Sequence, residues 1–262
     1  ISPDGGPTAG GTVVTLAGEH FAAVGTVTVT FSDVPAQVVQ RDGTTGIVCV
    51  APANVAGLAD VRVRNPDCGE GALLDGFLYV GAPTVTGALP GHGPADGGNE
   101  VAITGTHFVL NSTPTVSFGG TPAHLVVVES AIQIRCTVGP HAPGSVDVQV
   151  ENPYGQIGTL SNGYVFDAPP GVGLVSPSTG RMGGGTSVTI SGSNFAISGT
   201  LTVGFDASLG ANVVVVNSST ITCVTPPHVA GAADVTVTNP DGQSRTLEDG
   251  LTYTGWEGDV AP

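Results

Sequence analysis

The chain has 262 residues, of which 40% are hydrophobic and only 10% charged, and its 21 acidic residues face six arginines and no lysine. A net charge of −15 repels phosphate backbones and anionic lipid, which excludes nucleic acid as a partner class on electrostatic grounds. No apolar run approaches the ~18 residues of a membrane helix, so no membrane insertion is expected within the chain.

Glycine (41) and proline (20) make up nearly a quarter of the residues. Beside this hydrophobic content they describe a folded, turn-rich β protein and not a solvated disordered polymer. Landmarks recur every 87 residues without insertion: Phe21, Phe108 and Phe195; Cys49, Cys136 and Cys223; Gly18, Gly105 and Gly192; and the Asn-Pro pairs at Asn65, Asn152 and Asn239. The period means three copies of one folding unit, expected at 1–80, 81–167 and 168–255 with a tail at 256–262. Each unit is just large enough to hold one core.

In chain order, Ile1-Ser2-Pro3 aligns with Ala88-Leu89-Pro90 and Val175-Ser176-Pro177. The first strand of the first unit is therefore expected to be truncated or supplied from elsewhere. Val14 and Leu16 then alternate with polar neighbours, as do Val101 with Ile103 and Val188 with Ile190, the period of a half-buried strand. Val27, Val29 and Phe31 alternate with Thr26, Thr28 and Thr30, as Leu201, Val203 and Phe205 do with Thr200 and Thr202. Threonine on the wet face and branched or aromatic residues on the dry one suit an antiparallel sheet covered on one side. Ile47 with Cys49, then Val61 with Val63, mark two further strands. The Asn-Pro turn follows, and a last strand ends in Tyr79, Phe166 or Tyr253. About seven short strands per unit is the number of an immunoglobulin-like sandwich.

These residues resemble the IPT/TIG domains, immunoglobulin-like modules shared by plexins, related receptors and some transcription factors. The resemblance rests on Gly10-Gly11-Thr12 and Gly184-Gly185-Thr186 before an alternating strand, and on Gly18 to Phe21, Gly105 to Phe108 and Gly192 to Phe195. It also rests on Ile47 to Pro52, Ile221 to Pro226 and the terminal aromatic strand. Asn99 and Gly139 depart from the pattern in the second copy. The fold it implies is all-β: three tandem immunoglobulin-like (IPT/TIG, early-set) β-sandwiches arranged as a rod. It also implies spacers and interaction surfaces of extracellular chains, hence a secreted or cell-surface location and protein partners. The DNA-linked members of the family do not transfer, because the basic contacts are missing.

Candidate chemistry is sparse. His20 and His107 share a repeat position with Asn194, which reads as a loop brace and not a ligand. His141 and His228 share one with Asn54. Asp60, Asp147 and Asp234 open the same strand in all copies, the pattern of a turn-capping device; calcium at the loop ends is the alternative to no cofactor. No Gly-x-Ser-x-Gly elbow, phosphate-binding loop or Cys-His pairing is present, and no enzyme is expected. Cys49, Cys136 and Cys223 lie in the inward phase of one strand. Cys68 has no repeat counterpart and reads either as a partner of Cys49 in a disulfide or as an intermolecular thiol. Tyr154 and Trp256 are the aromatics outside the core pattern and the candidate interaction surface. Asn111-Ser112-Thr113 and Asn217-Ser218-Ser219 fit the N-glycosylation pattern, the first weakened by Pro114.

The joints Val80-Gly81-Ala82-Pro83 and Asp167-Ala168-Pro169-Pro170 are short and proline-bearing, so a stiff array about 110 Å long is expected. The functional expectation is a non-catalytic extracellular rod, a cell-surface stalk or fibre subunit that self-associates, with strand donation between subunits as the mode. Its rival is an accessory carbohydrate-binding or spacer module of a larger secreted enzyme or receptor.

Overall fold

The computed structural model describes residues 1–110 and 112–255. Every regular element is a strand, and the strands form three two-layered sandwiches. Among the described residues no helix is long and apolar enough to cross a membrane. In the first repeat Val13–Ala17, Gly46–Val50 and Gln37–Asp42 form one sheet, in that order. The facing sheet runs Gly5–Pro7, Glu70–Val80, Gly57–Arg64, Thr28–Phe31, Val34–Pro35, with Gly5–Pro7 parallel to its neighbour.

The second and third repeats keep this plan and add a strand to the smaller sheet. Thr84–Leu89 pairs with Glu100–Thr106, and Gly171–Ser176 with Ser187–Ser193. The first repeat has only the bridge between Ser2 and Thr15 at that place. Eight strands in the first repeat and nine in each of the others exceed the expected seven for a local reason. The predicted first strand divides between the two sheets, and a two-residue return such as Thr121–Pro122 pairs back on Thr115–Phe118. The chain divides into two compact units. Among the described residues one holds 1–91, 100–139 and 145–164, the other 92–99, 140–144 and 165–255.

The alternating residues face inward as the pattern required. Val14, Phe31, Ile47, Cys49 and Phe77 are sealed from solvent in the first repeat, as are Val101, Ile103 and Ile134 in the second and Ile190, Phe205 and Ile221 in the third. Phe31 meets Phe77 edge-on at 5.1 Å, and Phe118 meets Tyr164 at 5.0 Å. Such T-shaped pairs add about 1 kcal/mol beyond the area they bury. Tyr79 satisfies its buried hydroxyl by donating to Pro52 O (2.9 Å). Val63 is the exception: it is half-buried where Val150 and Val237 are sealed. It borders a cavity of about 250 Å³ walled also by Leu16, Phe21 and Leu73.

The joint between repeats as candidate functional site

The side chains with the most specific geometry lie where one repeat meets the next. Within the first compact unit, the linker that starts at Val80 is held by the second repeat through its main chain. Gln156 Nε2 donates to Val80 O (2.6 Å), and Asn152 Nδ2 donates to Gly81 O (3.4 Å) and His107 O (3.1 Å). A Cβ on Gly81 would stand 3.1 Å from the His107 ring, and one on Gly158 would meet Pro83 O. Gly158 needs glycine because linker and domain touch there backbone to backbone, whereas at Gly81 the close neighbour is the His107 side chain. Asn152 is only 2% exposed, and its Oδ1 and Gln156 Oε1 are buried without a hydrogen-bond partner among the described residues. Buried amide oxygens left this way cost stability.

Tyr154, in the Asn-Pro turn of the second repeat, adds a second point of contact. Its hydroxyl lies over Gly5 of the first repeat, where a Cβ would collide with the phenol. Gly5 is buried and Tyr154 half-buried. Burial raises the Tyr154 pKa, and the negative charge of Asp4 adds to the rise. A glycine on one repeat and a tyrosine on the next thus form a socket and a knob.

The third repeat uses the same position on its own linker, inside the second compact unit. Gln243 Nε2 donates to Asp167 O (3.1 Å) and to Asp241 Oδ2 (2.7 Å), and Asn194 Nδ2 donates to Pro169 O (3.0 Å). Gln156 and Gln243 occupy one repeat position, at which the first repeat has Gly69. Sequence reading missed Gln156, Gly5 and Gln243, and took Asn152 only as a turn residue. The recurrence of glutamine in two copies of three was the available signal.

His20, His107 and Asn194 have φ of 62°, 59° and 56°, a left-handed turn that Asn and His tolerate better than most residues. His107 and Asn194 brace the linkers. The recurring aspartates are engaged by backbone: Asp60, Asp147 and Asp234 accept from the N–H of Asp75, Asn162 and Asp249 at 3.0, 2.8 and 2.8 Å. Those three donors again have positive φ, 52°, 52° and 50°. Among the described residues no group of three or more His, Cys, Asp or Glu could hold a metal ion.

All four cysteines are free. The structure does not join Cys49 and Cys68: Cys49 is sealed between the sheets, and Cys68 is exposed at the Asn-Pro turn with φ 68°. Burial pushes the thiols of Cys49, Cys136 and Cys223 up to about 11, 12 and 11, so they are protonated and inert at neutral pH. Asn217 is exposed at a hairpin end. Asn111 and Trp256 lie outside the described residues.

The chain is 28% identical to human fibrocystin-L over 74% of its own length and 25% identical to human plexin-B1 over 75%, and it spans only 4% and 10% of those proteins. A solved structure of the full extracellular region of plexin A4 matches 97% of the chain and 24% of that protein, at 19% identity and a TM-score of 0.41. The IPT/TIG domain profile matches residues 1–79, 83–166 and 170–254. With both sandwich layers and the profile repeated three times over almost its whole length, the chain belongs to the IPT/TIG domain family.

Proposed function

We propose that this chain is a non-catalytic, extracellular tandem module that holds its repeats in set positions and presents them to protein partners. The observation that carries the reading is the joint between the first two repeats, where Gln156 and Asn152 grip the linker and Tyr154 seats on Gly5. A loose string of beads has no use for such contacts; a spacer or receptor segment does. The likeness to fibrocystin-L and plexin-B1 supports this reading, and a secreted or cell-surface setting is part of the proposal.

The carbohydrate-binding alternative loses support because Tyr154, an aromatic on which a sugar would stack, is committed to Gly5. Limited proteolysis tests the reading. The linker from Val80 to Pro83 should resist cleavage in the intact chain and become cleavable in Tyr154→Ala/Gln156→Ala. Equal susceptibility of both proteins would refute it, and glycan-array signals that vanish with Tyr154→Ala would favour the rival. Adhesion and fibre formation by strand donation are the finer form of the proposal. Electron microscopy of the intact chain at high concentration tests that form, and an absence of fibres reduces the role to that of a spacer.

A further inference from the structure

The three repeats differ in how they guard one sheet edge. Strand Ala211–Asn217 pairs on one side only, with Thr220–Val224. It contains no charged residue, and its Val214 and Val216 are 55% and 58% exposed. The same edge of the first repeat, Gln37–Asp42, carries Arg41 and Asp42. In the second, His124–Ser130 carries Glu129, bonded to Arg135 at 2.7 Å. Open strand edges template pairing with another chain, and charge or cover on the edge opposes it. All three edges have a register shift near their start, so the irregularity does not make up for the charge missing from the third.

What the third edge has in place of charge is Asn217-Ser218-Ser219 at its end. Asn217 is exposed, and its Oδ1 accepts from Ser219 N (2.9 Å) and Ser219 Oγ (2.8 Å). Its Nδ2 makes no hydrogen bond among the described residues. The other repeats have Gly43 and Ser130 at this position. The acceptor pattern thus occurs on the one of these three equivalent edges that lacks a charge.

We propose that Asn217 is an N-glycan acceptor and that its glycan covers the valine edge of the third repeat. Asn-x-Ser is the acceptor pattern for a bulky, solubilising surface glycan. In the transfer, Asn217 Nδ2 bonds to the anomeric carbon of an oligosaccharide carried on a polyprenyl pyrophosphate. The bond from that carbon to the pyrophosphate oxygen breaks, the lipid pyrophosphate leaves with the bonding pair, and the amide gives up one proton. The proposal rests on the extracellular reading, since only a chain entering a secretory compartment meets this donor.

Two experiments test it. Translation of the chain behind a cleavable signal sequence with microsomes reads acceptor use separately from export. The expected result is a mass gain reversed by peptide-N-glycosidase, lost in Asn217→Gln and kept in Asn111→Gln. No glycan at Asn217 overturns the proposal and leaves the spacer reading intact. Light scattering then compares glycosylated protein with protein trimmed by an endoglycosidase to the first sugar, which keeps Asn217 an amide, adds no charge to the edge and avoids any folding defect of a variant. Trimming should produce self-association that Val214→Lys reverses, and equal scattering of the two forms overturns the covering role.

Discussion

If Tyr154 is seated on Gly5, the two residues must be energetically coupled although they belong to different repeats. Tyr154→Ala removes a half-buried ring, a loss of about 2 kcal/mol when scaled from fully buried aromatic truncations. Gly5→Ala puts a methyl group against the phenol and 2.9 Å from Leu78 O, an overpacking cost of about 1–3 kcal/mol. Part of that cost lies inside the first repeat and survives in any background. The part due to the phenol disappears once Tyr154 is alanine. A double-mutant cycle by urea denaturation of the full chain should therefore give a coupling of about 1 kcal/mol or more, with the double variant more stable than the two single losses imply. Additivity within about 0.4 kcal/mol would show that the two repeats do not meet there, and the argument for a set joint would fall with it.

Gln156→Ala should cost about 1 kcal/mol, because Val80 O keeps its second bond from Thr8 N (3.0 Å), and it should speed hydrogen exchange at Thr8 little. Asn162→Val should destabilise by about 1–2 kcal/mol while Asn162→Gly stays near neutral, since φ at this position is 52°; equal effects in thermal melts would contradict the strained-turn account. Cys68 should alkylate in the native protein at mildly alkaline pH, with Cys49, Cys136 and Cys223 reacting only in denaturant. Those three thiols also set an alkaline limit. Unfolding returns each to its ordinary value of 9.0 from about 11, 12 and 11. The unfolded chain therefore releases protons first, and stability falls from about pH 9 upward, by about 2 kcal/mol per thiol once pH 11 is reached. Cys→Ala variants should flatten that fall in urea titrations against pH.

Much of the architecture was legible because it is local. Alternation of Val14 with Leu16 or Val203 with Phe205 states which side of a strand is dry, and the 87-residue period repeats that statement until chance is excluded. Comparison across copies also separated scaffold from chemistry: Asp60, Asp147 and Asp234 each accept from one backbone N–H, as a tripled capping residue should.

The joint was not legible, because its partners lie far apart along the chain. Gln156 and Val80 are separated by 76 residues, and the recurrence of glutamine at 156 and 243 marks a position without telling which carbonyl it reaches. Tyr154 illustrates the limit best. Its sequence context made it an aromatic outside the core pattern, available to an outside partner. Only the packing of two sheets, with Gly5 as the one residue small enough to lie beneath a phenol, turned it toward its own chain. Hydrophobic alternation determined that there would be three sandwiches; the shape of their meeting surfaces, which depends on every strand being in place, decided how the first grips the second.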